Sequence, residues 1–322
     1  MKTLDQLRQF YESNLKRDLA DFELQRKRIV TQSLIVFGIL AAVGVLGSLF
    51  LMQRGMPPVI MIFILIGCAI IGGAHHYLAG IDYRGGFKMI ILRKMITFVE
   101  PGLEYLPQQG LSQPMFEAAR LFLHHIDRYK CEDMIQGKVG KTGIAFSEVH
   151  AEYMTTSNTG KSQHTEWHTI FKGLFFIADF NKDLHGRTVV LPDTAEKLFG
   201  LFGQTLQSWN SSYGQLVKLE DVEFEKEFVV YGTDQIEARY ILSPALMERI
   251  VLFQRNVKTK IYLSFLGSKV FAAIPVQENM FEPKVFSSIL DFNVIAEYYA
   301  QLQLGVGIVD ELNLNTRIWT KE

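Results

Sequence analysis

The reading of the whole chain turns on three adjacent pieces: IVTQSLIVFGILAAVGVLGSLFLMQ (29–53), RGMPP (54–58) and VIMIFILIGCAIIGGAHHYLAGI (59–81). No Asp, Glu, Lys or Arg occurs between Ile29 and Gln53, or between Gly55 and Ile81. About 20 apolar residues, each rising ~1.5 Å, cross the hydrocarbon core of a bilayer, so both runs are long enough to span it. Two adjacent uncharged runs of this length are rare in soluble cores, which disfavours a pair of buried soluble helices. Gly38, Gly44, Gly47, Gly67, Gly72 and Gly73 punctuate the runs, and small residues let membrane helices approach closely. Pro58 suits the first turn of a helix, where a missing N–H costs little. The expectation is a two-helix transmembrane hairpin over 29–81, with spans of about 29–53 and 58–80.

Basic residues orient the hairpin. Arg26, Lys27 and Arg28 precede the first span, Arg84, Lys88, Arg93 and Lys94 follow the second, and the turn holds only Arg54. The positive-inside bias puts both termini in the cytoplasm. A cleaved signal peptide is not expected, because the segment before the first span is long and charged and no small-residue cleavage pattern follows it.

Working outward, residues 1–28 read as an amphipathic helix. Leu4, Leu7, Tyr11, Leu15, Leu19 and Phe22 form its stripe. The stripe can face the membrane surface, the protein's own domain or a partner helix. No Pro or Gly precedes Gly38, so this helix can run straight into the first span. After the second span, Phe87–Val99 reads as a helix stopped by Pro101-Gly102.

The rest of the chain, 85–322, is expected to be one cytoplasmic α+β domain of antiparallel strands with flanking helices, with room for two lobes meeting near residue 212. A helix is predicted over Met115–Tyr129, with His124 and His125 near its end. Strands are predicted over Ile144–Tyr153, Thr165–Phe180 and Thr188–Leu191. Met154–His164 reads as a polar connection and Asn181-Lys182-Asp183 as a turn. A helix follows over Thr194–Trp209, then a strand at Phe228–Tyr231 and an extended return over Ile236–Leu242. Ser243-Pro244 starts a helix to Arg255. Lys260–Leu266 and Lys269–Val276 read as a hairpin around Gly267-Ser268. Pro283 opens a last helix that Gly305 and Gly307 end. Regular βαβ alternation is absent, which disfavours a parallel nucleotide-binding sheet.

The 322 residues are 48% hydrophobic and 21% charged, and 33 basic residues against 34 acidic ones leave a net charge of -1. That balance argues against a nucleic-acid coat or a polybasic membrane binder, so no nucleic-acid partner is expected. Cys68 and Cys131 cannot build a disulfide framework.

Chemical motifs are sparse. Gly140-Lys141-Thr142 resembles the end of a phosphate-binding loop, but Ile135 stands where that loop needs Gly, so a hairpin turn is the better reading. Phe171, Phe175, Phe176 and Phe180 read as core. Glu220, Asp221, Glu223, Glu225 and Glu227 read as a solvated strand face. Glu148, His150 and Glu152 alternate along one strand, and His164, Glu166 and His168 along the next. One antiparallel register sets Glu152 opposite His164, His150 opposite Glu166 and Glu148 opposite His168; another sets His150 opposite His168. Opposed Cβ atoms lie ~4.5–5.5 Å apart, so imidazoles and carboxylates there could hold a metal. The simpler expectation is a solvated face of cross-strand pairs. His164-Thr-Glu-Trp-His168 lacks the metalloprotease spacing, and no nucleophile elbow, clustered Asp pair or activated Cys occurs. No cofactor is called for and no reaction is assigned.

Residues Phe228–Pro244 (FVVYGTDQIEARYILSP), continued by Leu246-Met247-Glu248-Arg249, resemble the signature of a bacterial family, domain-of-unknown-function family 3137. Gly173–Pro192 and Phe281-Glu282-Pro283 extend the likeness, which covers residue 120 onward. The resemblance implies a bacterial membrane protein of unassigned biochemistry, from a family whose members are often associated with helical LemA-type membrane proteins. Within the motif, Asp234 can organise the turn and Arg239 can pair with Glu237 or Asp234, which makes Arg239 and Asp234 the residues to test for a role beyond folding. The expected function is a scaffold at the bacterial inner membrane that binds itself or a LemA-type partner. The alternative is a tethered sensor or enzyme that binds a small ligand or metal.

Overall fold

The computed structural model describes residues 2–57, 59–159, 162–193 and 212–315. The predicted helix Thr194–Trp209 lies outside them. Contacts divide the chain into two compact units: Lys2–Met95 with Phe281–Tyr299, and Ile96–Met280 with Ala300 onward.

The first unit is helical. α1 (Leu4–Phe10) opens with a capping box in which Thr3 accepts from the Gln6 N–H and Gln6 reaches back to the Thr3 N–H. A π-turn (Tyr11–Leu15) leads without interruption into α2 (Lys16–Gln53), so the amphipathic helix and the first span are one rod. α3 (Val59–Ala79) returns. α4 (Ile81–Phe87), a second π-turn (Lys88–Leu92) and α5 (Arg93–Val99) continue it. These make two helical stretches, Leu4–Gln53 and Val59–Val99, long and apolar enough to cross a membrane.

The second unit is an antiparallel sheet with helices, the α+β arrangement expected. Its strands are β1 (Leu103–Leu106), β2 (Arg128–Val139), β3 (Thr142–Thr159), β4 (Ser162–Pro192), β5 (Gln215–Leu216), β6 (Phe228–Gly232) and β7 (Tyr262–Pro275). The order is β1-β2-β3-β4-β6-β5, with β7 also on β4. The helices are α6 (Gln113–Ala118), α7 (Val222–Glu225), α8 (Gln235–Ile241), α9 (Pro244–Val257) and α10 (Phe292–Glu311), whose first two turns belong to the helical unit.

Phe175 and Phe176 are both fully buried, so β4 is covered on both faces. On one face Phe116 of α6 meets Phe175 edge-on at 4.9 Å, and Phe122 meets Phe171 at 5.2 Å. On the other, Gly305 of α10 lies against Phe146, where a Cβ would come within 2.6 Å of the ring. Phe180 is half-buried against Phe265.

Several boundaries differ from expectation. The two strands predicted on either side of Asn181-Lys182-Asp183 are one strand, β4, and the predicted hairpin around Gly267-Ser268 is one strand, β7. The turn-like residues of each strand absorb a bulge shared between them: the β4–β7 register shifts on both sides of the Leu184–Gly267 pair. Within the polar stretch Met154–His164, β3 continues to Thr159 and β4 starts at Ser162, so the described residues there are strand rather than connection. The helix predicted over 115–129 ends at Ala118, and Arg120 takes a left-handed φ of 53°. The acidic run forms α7, capped by Asp221. The expected extended return Ile236–Leu242 is helical up to Ile241, because the Asp234 carboxylate accepts from the Ile236 and Glu237 N–H groups and starts α8. Pro283 opens no helix; the last one begins at Phe292 and runs through Gly305 and Gly307.

Candidate functional site

The hairpin presents a continuous apolar exterior. Leu34, Ile39, Val43, Leu46 and Phe50 of α2 are exposed, as are Ile62, Phe63, Ile66, Ile70 and Leu78 of α3. A patch of this kind on a helix pair needs a covering phase. Two of the six glycines make the close approach. A Cβ on Gly44 would lie 3.3 Å from Cys68 Sγ, and one on Gly72 would lie 2.4 Å from the Phe37 ring. Gly38, Gly47, Gly67 and Gly73 face open space. At one end of the pair, Ser33 Oγ bonds His76 Nδ1 at 2.8 Å.

The stripe of the N-terminal helix is occupied by its own chain. Leu7, Tyr11, Leu15, Leu19 and Phe22 are buried, and only Leu4 is exposed. Their cover includes residues 281–299, a partner with no local sequence signal. Tyr11 Oη donates to the Leu290 carbonyl at 2.7 Å, and Tyr299 Oη donates to the Lys2 carbonyl at 2.5 Å. Phe292 meets Tyr11 edge-on and lies beneath the Arg8 guanidinium. Lys88 pairs with Glu282 at 2.6 Å, and Lys94 pairs with Asp18.

The polar centre of this packing is Glu23, which is 4% exposed. Its carboxylate takes two bonds from Arg26, at 2.9 and 2.7 Å, and one from the Ile289 N–H at 3.2 Å. Arg26 Nη1 also donates to the Val285 carbonyl at 2.8 Å. The Arg26 hydrogen bonds hold the Glu23 carboxyl below its ordinary value against the opposing effect of burial.

The signature block forms a turn locked by carboxylates. Beyond Asp234's capping role, Glu237 accepts from the His185 N–H at 2.8 Å and the Gly186 N–H at 2.7 Å. Thr233 Oγ1 accepts from the Arg187 N–H at 2.8 Å. Gly186 is needed here: a Cβ would fall 2.8 Å from Glu237 Oε2. Arg239 donates to the Gln235 and Lys218 carbonyls, while Asp234 and Glu237 hold backbone amides. Beside this block lies a cleft of about 180 Å³ lined by Asn181, Lys182, Ser243, Arg249 and Asn313, among others. Lys182 sits 4.5 Å over the Tyr240 ring, and burial lowers its pKa.

The histidine-rich strands pair in neither expected register. A bulge next to the Ala151–Phe171 pair sets Glu152 opposite Thr169, Tyr153 opposite His168, Thr155 opposite Glu166 and Ser157 opposite His164. His150 and Glu152 therefore share one face, 3.7 Å apart, and His164, Glu166 and His168 share the other. His168 Nε2 bonds Thr155 Oγ1 at 2.8 Å, and its ring stacks on Tyr153, which stacks on His124. Burial lowers the His150 pKa; the neighbouring Glu152 carboxylate opposes this, and Lys172, Lys130 and Arg128 add to the lowering. Glu148 is buried and accepts from the Met280 N–H at 2.7 Å. Gly140-Lys141-Thr142 forms the β2–β3 turn, with Thr142 Oγ1 and the Lys141 N–H both donating to Asn315 Oδ1.

Residues 169–314 match the family model described as a protein of unknown function, DUF3137. The resemblance to that family holds. The matched region contains β7, α10 and the Asp234–Glu237 turn that anchors β4. No curated protein matches the chain. Among solved structures, the mycobacterial trehalose monomycolate transport factor A, TtfA, is 9% identical, with 68% of this chain and 93% of that one covered and a TM-score of 0.30.

Proposed function

We propose that this chain is a scaffold anchored in the bacterial inner membrane by its helical hairpin, with both ends on the cytoplasmic side, and that it assembles with itself or with a helical membrane protein of LemA type. The observation that carries the reading is the exposed apolar exterior of α2 and α3, which only a lipid phase or membrane partner would cover along its length. Arg26, Lys88 and Lys94 have acidic partners, but acidic residues count little in orienting spans, so the basic excess on the terminal side still favours this topology. The N-terminal stripe is already covered, which leaves other surfaces for assembly. These are the open glycines of the hairpin and the exposed β3–β4 arm carrying Met154 and Trp167. Anchoring raises the effective concentration of weak contacts, so modest interfaces suffice. The test is capture of the full chain in mild detergent with a mass measurement of the intact particle. Several chains per particle, or a co-purifying helical membrane protein, is expected; a lone monomer in its detergent belt would overturn the reading.

The cleft at Lys182, Ser243 and Arg249 supports a second reading, a tethered ligand sensor. A screen of small anions for a thermal shift that Arg249→Ala abolishes would favour it.

A further inference from the structure

Residues 285–289 form a loop pinned at both ends to α2. Val285 is held through its carbonyl by Arg26, and Ile289 through its N–H by Glu23. Between these pins Phe286, Ser287 and Ser288 are exposed, and Phe286 is 79% exposed, an extreme value for a phenylalanine in a loop otherwise tied down by hydrogen bonds. Its ring is stacked on His76 of α3, with centroids 5.1 Å apart and planes 19° from parallel. His76 in turn bonds Ser33 of α2.

That chain of contacts fixes the depth of Phe286 along the hairpin. The last charge before the first uncharged run is Arg28, and the first after the second run is Asp82. Ser33 is five residues inside the first limit and His76 is six inside the second. At ~1.5 Å per residue, the Phe286 ring lies roughly 7–9 Å past the charge boundary of both helices. Around it the surface is amphipathic: Tyr77 and Leu78 are each 63% exposed, Thr31 and Gln32 are exposed, and the Arg84 guanidinium lies 4.8 Å over the Tyr77 ring. An aromatic ring on the rim of a membrane-spanning pair is at the level where interfacial aromatics sit.

We infer that the 285–289 loop is a third membrane contact, which inserts Phe286 into the headgroup and upper acyl zone of the same leaflet from which the helices enter. The occupant of this surface is lipid. The loop adds an exposed aromatic ring at the margin of the hairpin's apolar exterior, beside Tyr77 and Leu78, and its serines and backbone are of a polarity that the interfacial zone accepts. The inference rests on the anchoring reading and adds a C-terminal segment to the membrane-embedded part of the chain.

The test uses the full chain in phosphatidylcholine–phosphatidylglycerol vesicles, in a Cys68→Ala, Cys131→Ala background. A nitroxide is placed at Ser287→Cys, which keeps Phe286, with reference labels at Leu46→Cys in the first span and Lys16→Cys near the start of α2. Collision rates with oxygen and with a water-soluble nickel chelate report depth. The Ser287 label should collide with nickel several-fold less than the Lys16 label. Adding Phe286→Ser should move it at least twofold back towards the Lys16 value. A Ser287 label indistinguishable from Lys16, or one unmoved by Phe286→Ser, with the Leu46 label still oxygen-rich, would overturn the inference alone. A Leu46 label as accessible to nickel as Lys16 would overturn the anchoring reading, and this inference with it.

Discussion

Replacing Arg26 by Met should release the C-terminal segment from the N-terminal helix. Glu23 is buried and takes two of its three hydrogen bonds from Arg26. Lys27, 3.9 Å away and 65% exposed, is too solvated to substitute. Removing one partner of a buried ion pair typically costs about 3–5 kcal/mol, because the remaining charge is stranded. The opening equilibrium of residues 285–291 should then rise roughly a hundred-fold to several-thousand-fold at pH 7. Hydrogen exchange of peptides covering 283–292, in the full chain in detergent, reads this directly. The pH dependences should have opposite signs. In the wild type Glu23 has a lowered pKa, so its contribution is present above the ordinary carboxylate pKa of ~4.3 and is lost as pH falls through the lower folded value. In the variant, burial without a partner raises the carboxyl, so acidification protonates it and restores part of the protection. Tyr83, which faces the pair and is itself raised by burial to about 12, stays neutral throughout. The double variant Glu23→Gln, Arg26→Met should recover much of the loss, since no charge is left stranded. Unchanged exchange in Arg26→Met, or the same pH slope in both proteins, would refute the reasoning.

Other expectations come from close contacts. Gly72→Leu should lower the melting temperature in detergent by an amount equivalent to about 1–3 kcal/mol, because its Cβ meets the Phe37 ring, while Gly73→Leu faces open space and should change little. Asp234→Ala removes both side-chain bonds that start α8 and should cost about 0.5–2 kcal/mol in denaturant unfolding, with Asp234→Asn largely retaining stability. Gly305→Leu should destabilise the sheet unit through Phe146 and show as faster exchange in β3; equal exchange would mean that α10 does not pack as described.

How much of this was legible in the sequence depended on the range of the interaction responsible. The hairpin could be read because the signal, an uninterrupted absence of charge, lies within each helix. The α+β class could be read from the switch of period after Asp133. Strand ends could not. Asn181-Lys182-Asp183 and Gly267-Ser268 carry local turn chemistry, but the two strands pair with each other there and accommodate it as a shared bulge. The register of β3 on β4 is hidden for a related reason: Met154–His164 reads locally as a connection, and nothing in it signals the bulge beside Phe171 or the extension of both strands. Asp234 has the local chemistry of a turn residue but is a helix cap, a distinction that depends on Gln235–Ile241 being helical. Gly305 looked like a helix terminator, yet its lack of a side chain makes room for Phe146, a residue far away in sequence. The N-terminal stripe was legible, but its cover, residues 281–299, was not.

The most direct test of the central claim is labelling of intact cells with a membrane-impermeant thiol reagent, in a Cys68→Ala, Cys131→Ala background. Met56→Cys, in the turn between α2 and α3, should be labelled from outside, and Ser13→Cys, on the N-terminal helix, only after the membrane is opened. Equal labelling of the two positions in intact cells, or labelling of Ser13 alone, would contradict a hairpin that crosses the bilayer and returns.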